Sequence, residues 1–222
     1  MTFSILAHDA QTGSIGGAAA TGSLCVGGWV LRGALGAGMS ASQGAAPSTF
    51  WGEDVLHLMR EGLSPRTAIE RIVRADRGRD WRQLAALSDA GEGAAFTGAR
   101  NGAFRGHVIF DGGVAAGNLL TDEGVLSALV EGFCSTRGSL DDRLMRALEA
   151  AAEAGGDQRG VQSAALLVLS PEQPPLTLRI DFHPDDPLGA LRDLHRRATT
   201  GGDYAAWLRH VPVITDRERT AE

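Results

Sequence analysis

Two short apolar segments, 2–9 and 14–21, open the chain, parted by Ala10-Gln11-Thr12-Gly13. That turn-forming stretch predicts an antiparallel hairpin. A third apolar segment, 35–43, is punctuated by glycines and predicts another strand with bulges or close backbone approach. The period then lengthens. Residues 47–60 and 64–75 predict helices, the second with Ser64 as N-cap, Pro65 in its first turn and Ala68, Ile69, Ile72 and Val73 on one face. Strands are predicted at 83–88 and 93–97, joined by Asp89-Ala90-Gly91-Glu92, and at 107–117. Thr121 heads a helical segment carrying Val125, Leu126, Leu129, Val130 and Phe133 on one face. Ser139 with Asp142 makes a capping-box-like start for a helix that ends at Gly155-Gly156. Strands follow at 163–169 and 176–182. Asp186-Pro187 opens a helix bearing Leu188, Leu191 and Leu194, and the polar stretch 215–222 reads as a frayed tail.

The order ββ(β), αα, βββ, αα, ββ, α does not alternate strand and helix singly, so a doubly wound parallel sheet is excluded. The expectation is an α+β fold in which two antiparallel sheets stack between helical layers, forming one domain over 1–214 with a flexible tail over 215–222. A chain of 222 residues is long enough to bury about 70% of its unfolded surface in one core.

Composition narrows the chemistry. All 21 basic side chains are arginine and lysine is absent, which rules out a phosphate loop closed by Lys, a Schiff-base lysine and Ser-Lys or Thr-Lys catalytic pairs. The net charge of −6, with no long basic run, argues against nucleic-acid or anionic-membrane partners. The opening MTFSILAHDA has no basic residue ahead of its short apolar run, and no stretch approaches about 18 uninterrupted apolar residues, so a cytoplasmic location is expected. Cys25 and Cys134 fit neither a disulfide framework nor a zinc spacing.

GxSxG, HExxH, CxxC and correctly spaced GxGxxG motifs are all missing. Thr2 remains. Removal of an initiator Met before a small Thr would place a hydroxyl nucleophile and an α-amine, with an unperturbed pKa of about 8, on one residue. The alternative is a Thr that merely starts an edge strand. DFHPDD at 181–186 gathers Asp181, His183, Asp185 and Asp186, and a metal-dependent hydrolase built on the first three is a further reading. Asp186-Pro187 reads instead as a helix cap, and neither metal nor cofactor is expected.

The segments TFSILAHD, AAFTGARNGAFRGH at 94–107, Gly117-Asn118, GGDQRGVQSAALLVLS at 155–170 and LRIDFHPDDPLGALRDL at 178–194 resemble the domain of unknown function 1028 family over nearly the whole chain. The match is looser at AAPSTFWG, residues 45–52, where the family carries Asn-Pro and Tyr-Gly. The family looks related to the N-terminal nucleophile (Ntn) hydrolases. The resemblance therefore implies a four-layer αββα sandwich and hydrolysis of a small amide, peptide or acyl-amine. Thr2 would be the nucleophile, Asn118 an oxyanion donor, and Asp157 and Ser163 partners near the terminal amine; Arg159 would lie beside Asp157 or brace it as an ion pair. Gln43, Arg159 and His107 are candidates for substrate contact. With no lysine, the α-amine must act with Asp157 or another polar partner, because arginine stays protonated. The alternative is a non-catalytic ligand-binding or assembly module on the same fold. A homodimer is a further expectation.

Overall fold

The computed structural model describes residues 2–157 and 159–221, and the facts below concern these. They form an α+β protein with two antiparallel sheets, of six and four strands, and seven α-helices. The elements run β1 (Thr2–Asp9), β2 (Ser14–Thr21), α1 (Val26–Trp29), β3 (Leu31–Ala34), β4 (Gly38–Gly44), α2 (Thr49–Arg60) and α3 (Pro65–Ala75). They continue with β5 (Arg82–Leu87), β6 (Gly93–Thr97), β7 (Phe104–Phe110), β8 (Gly113–Leu120), α4 (Gly124–Ser135) and α5 (Leu140–Glu153). Last come β9 (Ser163–Leu169), β10 (Leu176–Ile180), α6 (Pro187–Thr199) and α7 (Asp203–Leu208). The larger sheet has the order β10-β9-β2-β1-β8-β7, the smaller β3-β4-β5-β6. β1 thus lies in the middle of the larger sheet.

Strand alternation divides the core into three. On β1, Phe3, Ile5 and Ala7 face Leu129 and Phe133 of α4 and Leu144 and Leu148 of α5, whereas Leu6 joins Ile15, Ala19, Val114 and Ala116. That second cluster also holds Met39, Ala41, Ala85 and Leu87 of the smaller sheet, so it is the interface between the sheets. The opposite phase of β5, Leu84 and Ala86, packs under α2 and α3 with Trp51, Val55 and Ile69. β2 reads SIGGAAAT because both its faces are crowded. A Cβ on Gly16 would come within 2.8 Å of Leu144 Cδ1, and one on Gly17 within 2.7 Å of Leu6 Cδ2.

Several expected boundaries move. The strand expected at 35–43 is β4 over 38–44, and it pairs with β3, an additional strand preceded by the short α1. The strand expected at 107–117 is also a hairpin, turning at Asp111-Gly112, where Gly112 adopts φ 71. Asp-Gly between apolar runs is itself the signal of a two-residue hairpin turn. Ser64 and Asp186 cap their helices as expected, accepting from Thr67 N–H at 3.3 Å and Gly189 N–H at 2.8 Å. Ser139 differs: its hydroxyl donates to Asp142 Oδ2 at 3.0 Å rather than accepting a backbone N–H. Thr121 lies before α4, its hydroxyl donating to Gly156 O at 3.4 Å. In the segment expected to fray, Val213 bridges Asp216. No described helix is long and apolar enough to cross a membrane.

Candidate functional site

The inter-sheet face is apolar along most of its length and polar at one end. In the larger sheet, register pairs Ser163 with Thr21, Thr21 with Thr2 and Thr2 with Asn118, so four polar side chains cross β9, β2, β1 and β8 in one row. In the smaller sheet, Gln43 pairs with Gln83 and Gln83 with Thr97. These positions share strand phase with Ala41, Ala85 and Ala95, which lie in the inter-sheet cluster. Two polar rows therefore face one another, and all but the half-buried Thr97 are buried: Thr2 is 8% exposed and Asn118 and Gln83 0%.

Gln83 ties the rows together. Its Nε2 donates to Gly106 O at 2.8 Å and Gly117 O at 2.9 Å, with Thr97 Oγ1 a third acceptor at 2.8 Å. Those carbonyls become available where the β7–β8 register slips between Phe104 and Gly106. Carbonyls can only accept, which fixes the Gln83 amide with Oε1 on the opposite side. That oxygen accepts from Gln43 Nε2 at 2.7 Å and Asn118 Nδ2 at 3.0 Å. Both neighbouring amides are oriented in turn, nitrogen toward Gln83 and oxygen away from it. Gln43 Nε2 also lies 3.4 Å from Thr2 O, as its donor.

Thr2 Oγ1 donates to Thr21 Oγ1 at 3.1 Å. Asn118 is held from behind by Leu119, which adopts φ 55, a conformation unfavourable for a non-glycine residue and fixed here by its N–H donating to Asn101 O at 2.8 Å. Gly102 permits this turn, because a Cβ there would approach Leu119 Cα to 3.0 Å.

The other candidates stand at increasing remove. Asp157 accepts from Gly22 N–H and its backbone bridges Leu120, so it spans the ends of β2 and β8, the strands flanking β1, just beyond Thr2. Its buried carboxylate pairs with Arg159 at 3.2 Å, and Arg159 also reaches Ser23 Oγ at 3.3 Å. Ser163 sits two strands from Thr2, roughly 10 Å at the usual strand spacing. Its hydroxyl donates to Ser23 O at 2.7 Å and accepts from Val26 N–H at 3.1 Å, fastening the 21–26 turn to β9. His107 connects to the rows only through Thr97, whose hydroxyl is 3.0 Å from Nδ1. The histidine keeps solvent exposure, yet desolvation by the surrounding chain lowers its pKa below the ordinary imidazole value.

The fold therefore brings Gln43 and Asn118 to Thr2, places Asp157 with Arg159 at the end of its strand, and leaves Ser163 and His107 outside contact. Thr21, Gln83 and Thr97 were not anticipated. A polar residue in the buried phase of an otherwise apolar strand, as in QLAAL, is the signal that marks Gln83.

The DUF1028 pattern, described as a family of unknown function, matches residues 2–191, from the nucleophile candidate into the first turns of α6. The chain belongs to the DUF1028 family. It is also similar to protein SPO2555 from Silicibacter pomeroyi, a DUF1028 protein with a crystal structure: 57% identity, TM-score 0.96, covering 100% of this chain and 96% of that one. No curated protein matches.

Elsewhere in this DUF1028 chain, the 181–186 cluster is engaged in local structure. Asp181 pairs with Arg179 at 2.8 Å, Asp186 caps α6, and His183 Nδ1 accepts from Asp186 N–H at 2.8 Å. An open cleft of ≈ 600 Å³ lined by Phe50, Trp51, His57, Arg71 and Arg82 lies by α2 and α3, on the side of the smaller sheet away from Thr2.

Proposed function

We propose that this DUF1028 chain is an amidohydrolase on a four-layer αββα sandwich of the Ntn type, acting on a small amide, peptide or acyl-amine. Thr2 is its nucleophile once the Met1–Thr2 bond has been cleaved. The observation that carries this reading is the pair of polar rows meeting at Thr2, the first residue of a central strand, whose hydroxyl bonds along its own row to Thr21 and whose backbone oxygen accepts from Gln43 of the facing row. The apolar remainder of the interface offers no such convergence.

The reaction balances without a lysine. Thr2 Oγ1 attacks the amide carbon as its proton passes to the Thr2 α-amine, and the C–N bond breaks with that proton delivered to the leaving nitrogen. Water then adds to the Thr2 ester, the C–O bond breaks, the hydroxyl is restored and a carboxylic acid leaves. Asp157, beyond the end of β1, supplies a carboxylate on the side to which the amine projects. The low exposure of Thr2 supports a second reading, a binding module on the same fold.

Mass spectrometry of the active protein tests the first step: the N-terminus is Thr2. Thr2→Ala retains the wild-type melting temperature and loses turnover by about 10⁴-fold or more, by analogy with removal of other nucleophiles. An intact Met1 on fully active protein, or activity unchanged in Thr2→Ala, refutes the hydrolase reading.

A further inference from the structure

Three buried side-chain oxygens on the inter-sheet face near Thr2 have no hydrogen-bond partner among the described residues: Gln43 Oε1, Asn118 Oδ1 and Ser4 Oγ. Their residues are 1%, 0% and 1% exposed. Such groups are rare in folded proteins and costly to leave unpaired. Here the two carbonyl oxygens are turned away from Gln83 by a chain of donors that begins at Gly106 O and Gly117 O, so rotating either amide would set oxygen against oxygen at Gln83 Oε1. The network holds two acceptors bare.

We infer that Gln43 and Asn118 form an acceptor pair that reads the N–H hydrogens of a bound amide, making primary and secondary carboxamides the preferred ligand class and excluding esters and tertiary amides. The inference rests on the hydrolase reading only for where the scissile nitrogen lies; the acceptor pair is a binding feature in itself. Asn118 is the register partner of Thr2 on the inter-sheet face, and Gln43 faces Thr2 from the opposite sheet, its Nε2 3.4 Å from Thr2 O, so the two oxygens belong to the polar end of the interface that holds Thr2. An ester or a tertiary amide brings only further acceptors to this pair. A secondary amide brings one N–H, and a primary amide brings two to two oxygens.

The test is binding to the Thr2→Ala protein, where turnover cannot obscure it, by NMR titration with butyramide, N-methylbutyramide, N,N-dimethylbutyramide and methyl butyrate. Butyramide is expected to bind about tenfold or more tightly than the dimethylamide and the ester, with the N-methyl compound between them. Adding Gln43→Met is expected to flatten the series. The inference is overturned if butyramide does not bind, if the dimethylamide or ester binds within about twofold of it, or if the order survives Gln43→Met. Wild-type turnover is measured separately. The expected order without hydrolysis leaves the acceptor pair standing and removes the hydrolase reading; hydrolysis of amide and ester alike, with flat binding, does the reverse.

Discussion

Asn101 and Asn118 are both fully buried, and one backbone hydrogen bond, from Leu119 N–H to Asn101 O, separates their neighbourhoods. Asn101 is saturated. Its Oδ1 accepts from Ala45 N–H at 2.8 Å while Nδ2 donates to Gly98 O at 2.9 Å and Arg82 O at 3.1 Å, pinning the loop after β6 to the loop after β4. Asn118 gives one hydrogen bond, to Gln83, and its Oδ1 has no partner among the described residues. A buried amide consumed by backbone groups is scaffold. One held rigidly with a bare acceptor adds little to stability, which is the pattern of a side chain kept for a ligand.

If that contrast is right, the residues that do the holding matter most to the fold. Gln83 is the extreme case, because its loss leaves Asn118 Nδ2 without its acceptor, leaves Gln43 Nε2 only the 3.4 Å contact to Thr2 O, and cuts the link to Gly106 and Gly117. Gln83→Leu is expected to lower unfolding stability by about 3–4 kcal/mol in urea denaturation. A loss below about 1 kcal/mol would mean that the amide chain does not tie the sheets. Asn101→Ala is next, at about 2–3 kcal/mol, since Ala45 N–H and the loop carbonyls lose their partner. The amide-binding order should nonetheless survive in this variant. If it collapsed, Asn101 would belong to the site and the contrast would fail.

How far these roles can be read from sequence follows from the same physics. Periodicity marks most elements because each strand or helix face must match its neighbours locally, and Thr2 and Asn118 stand out through resemblance. Gln83, Thr21 and Thr97 do not, because their meaning comes from register across strands far apart in sequence: Gln83 meets Gln43 from 40 positions away and Asn118 from 35. The hairpin at Asp111-Gly112 differs from these, because Asp-Gly between apolar runs is a local signal that the sequence does carry. Ser163 shows the same dependence on register from the other side. It lies in the right row, yet a backbone carbonyl and an N–H of the 21–26 turn use its hydroxyl, a pairing that no local pattern encodes.

A third satisfied group extends the scaffold side of the comparison and adds pH. Burial raises the Asp76 pKa, but donors from Gly78 N–H at 2.6 Å, Arg82 Nε at 2.7 Å and Trp51 Nε1 at 2.9 Å outweigh it, so the net shift is downward. A depressed carboxylate pKa stabilises the fold above the unfolded value of about 3.9, and that stability disappears as pH falls through the folded value. Asp76→Asn is therefore expected to cost about 1–2 kcal/mol at pH 7, with the two proteins converging as pH falls through the depressed folded-state value. A pH-independent gap would show that the packing of Asp76, and not its charge, supports Trp51.

The smallest effect on stability is the most discriminating. Asn118→Leu removes a donor from Gln83 Oε1, which still accepts from Gln43, and it also removes the orphaned Oδ1 from the interior. Losing one neutral hydrogen bond and relieving one unpaired carbonyl nearly cancel, so the net change in unfolding stability should be within about 1 kcal/mol. The same substitution should abolish the preference for amides over esters, because half of the acceptor pair is gone. Asn101→Ala is expected to show the reverse, a large stability loss with the preference intact. Should Asn118→Leu instead cost as much as Asn101→Ala, its bare oxygen would have a structural partner, and the two asparagines would be doing the same work.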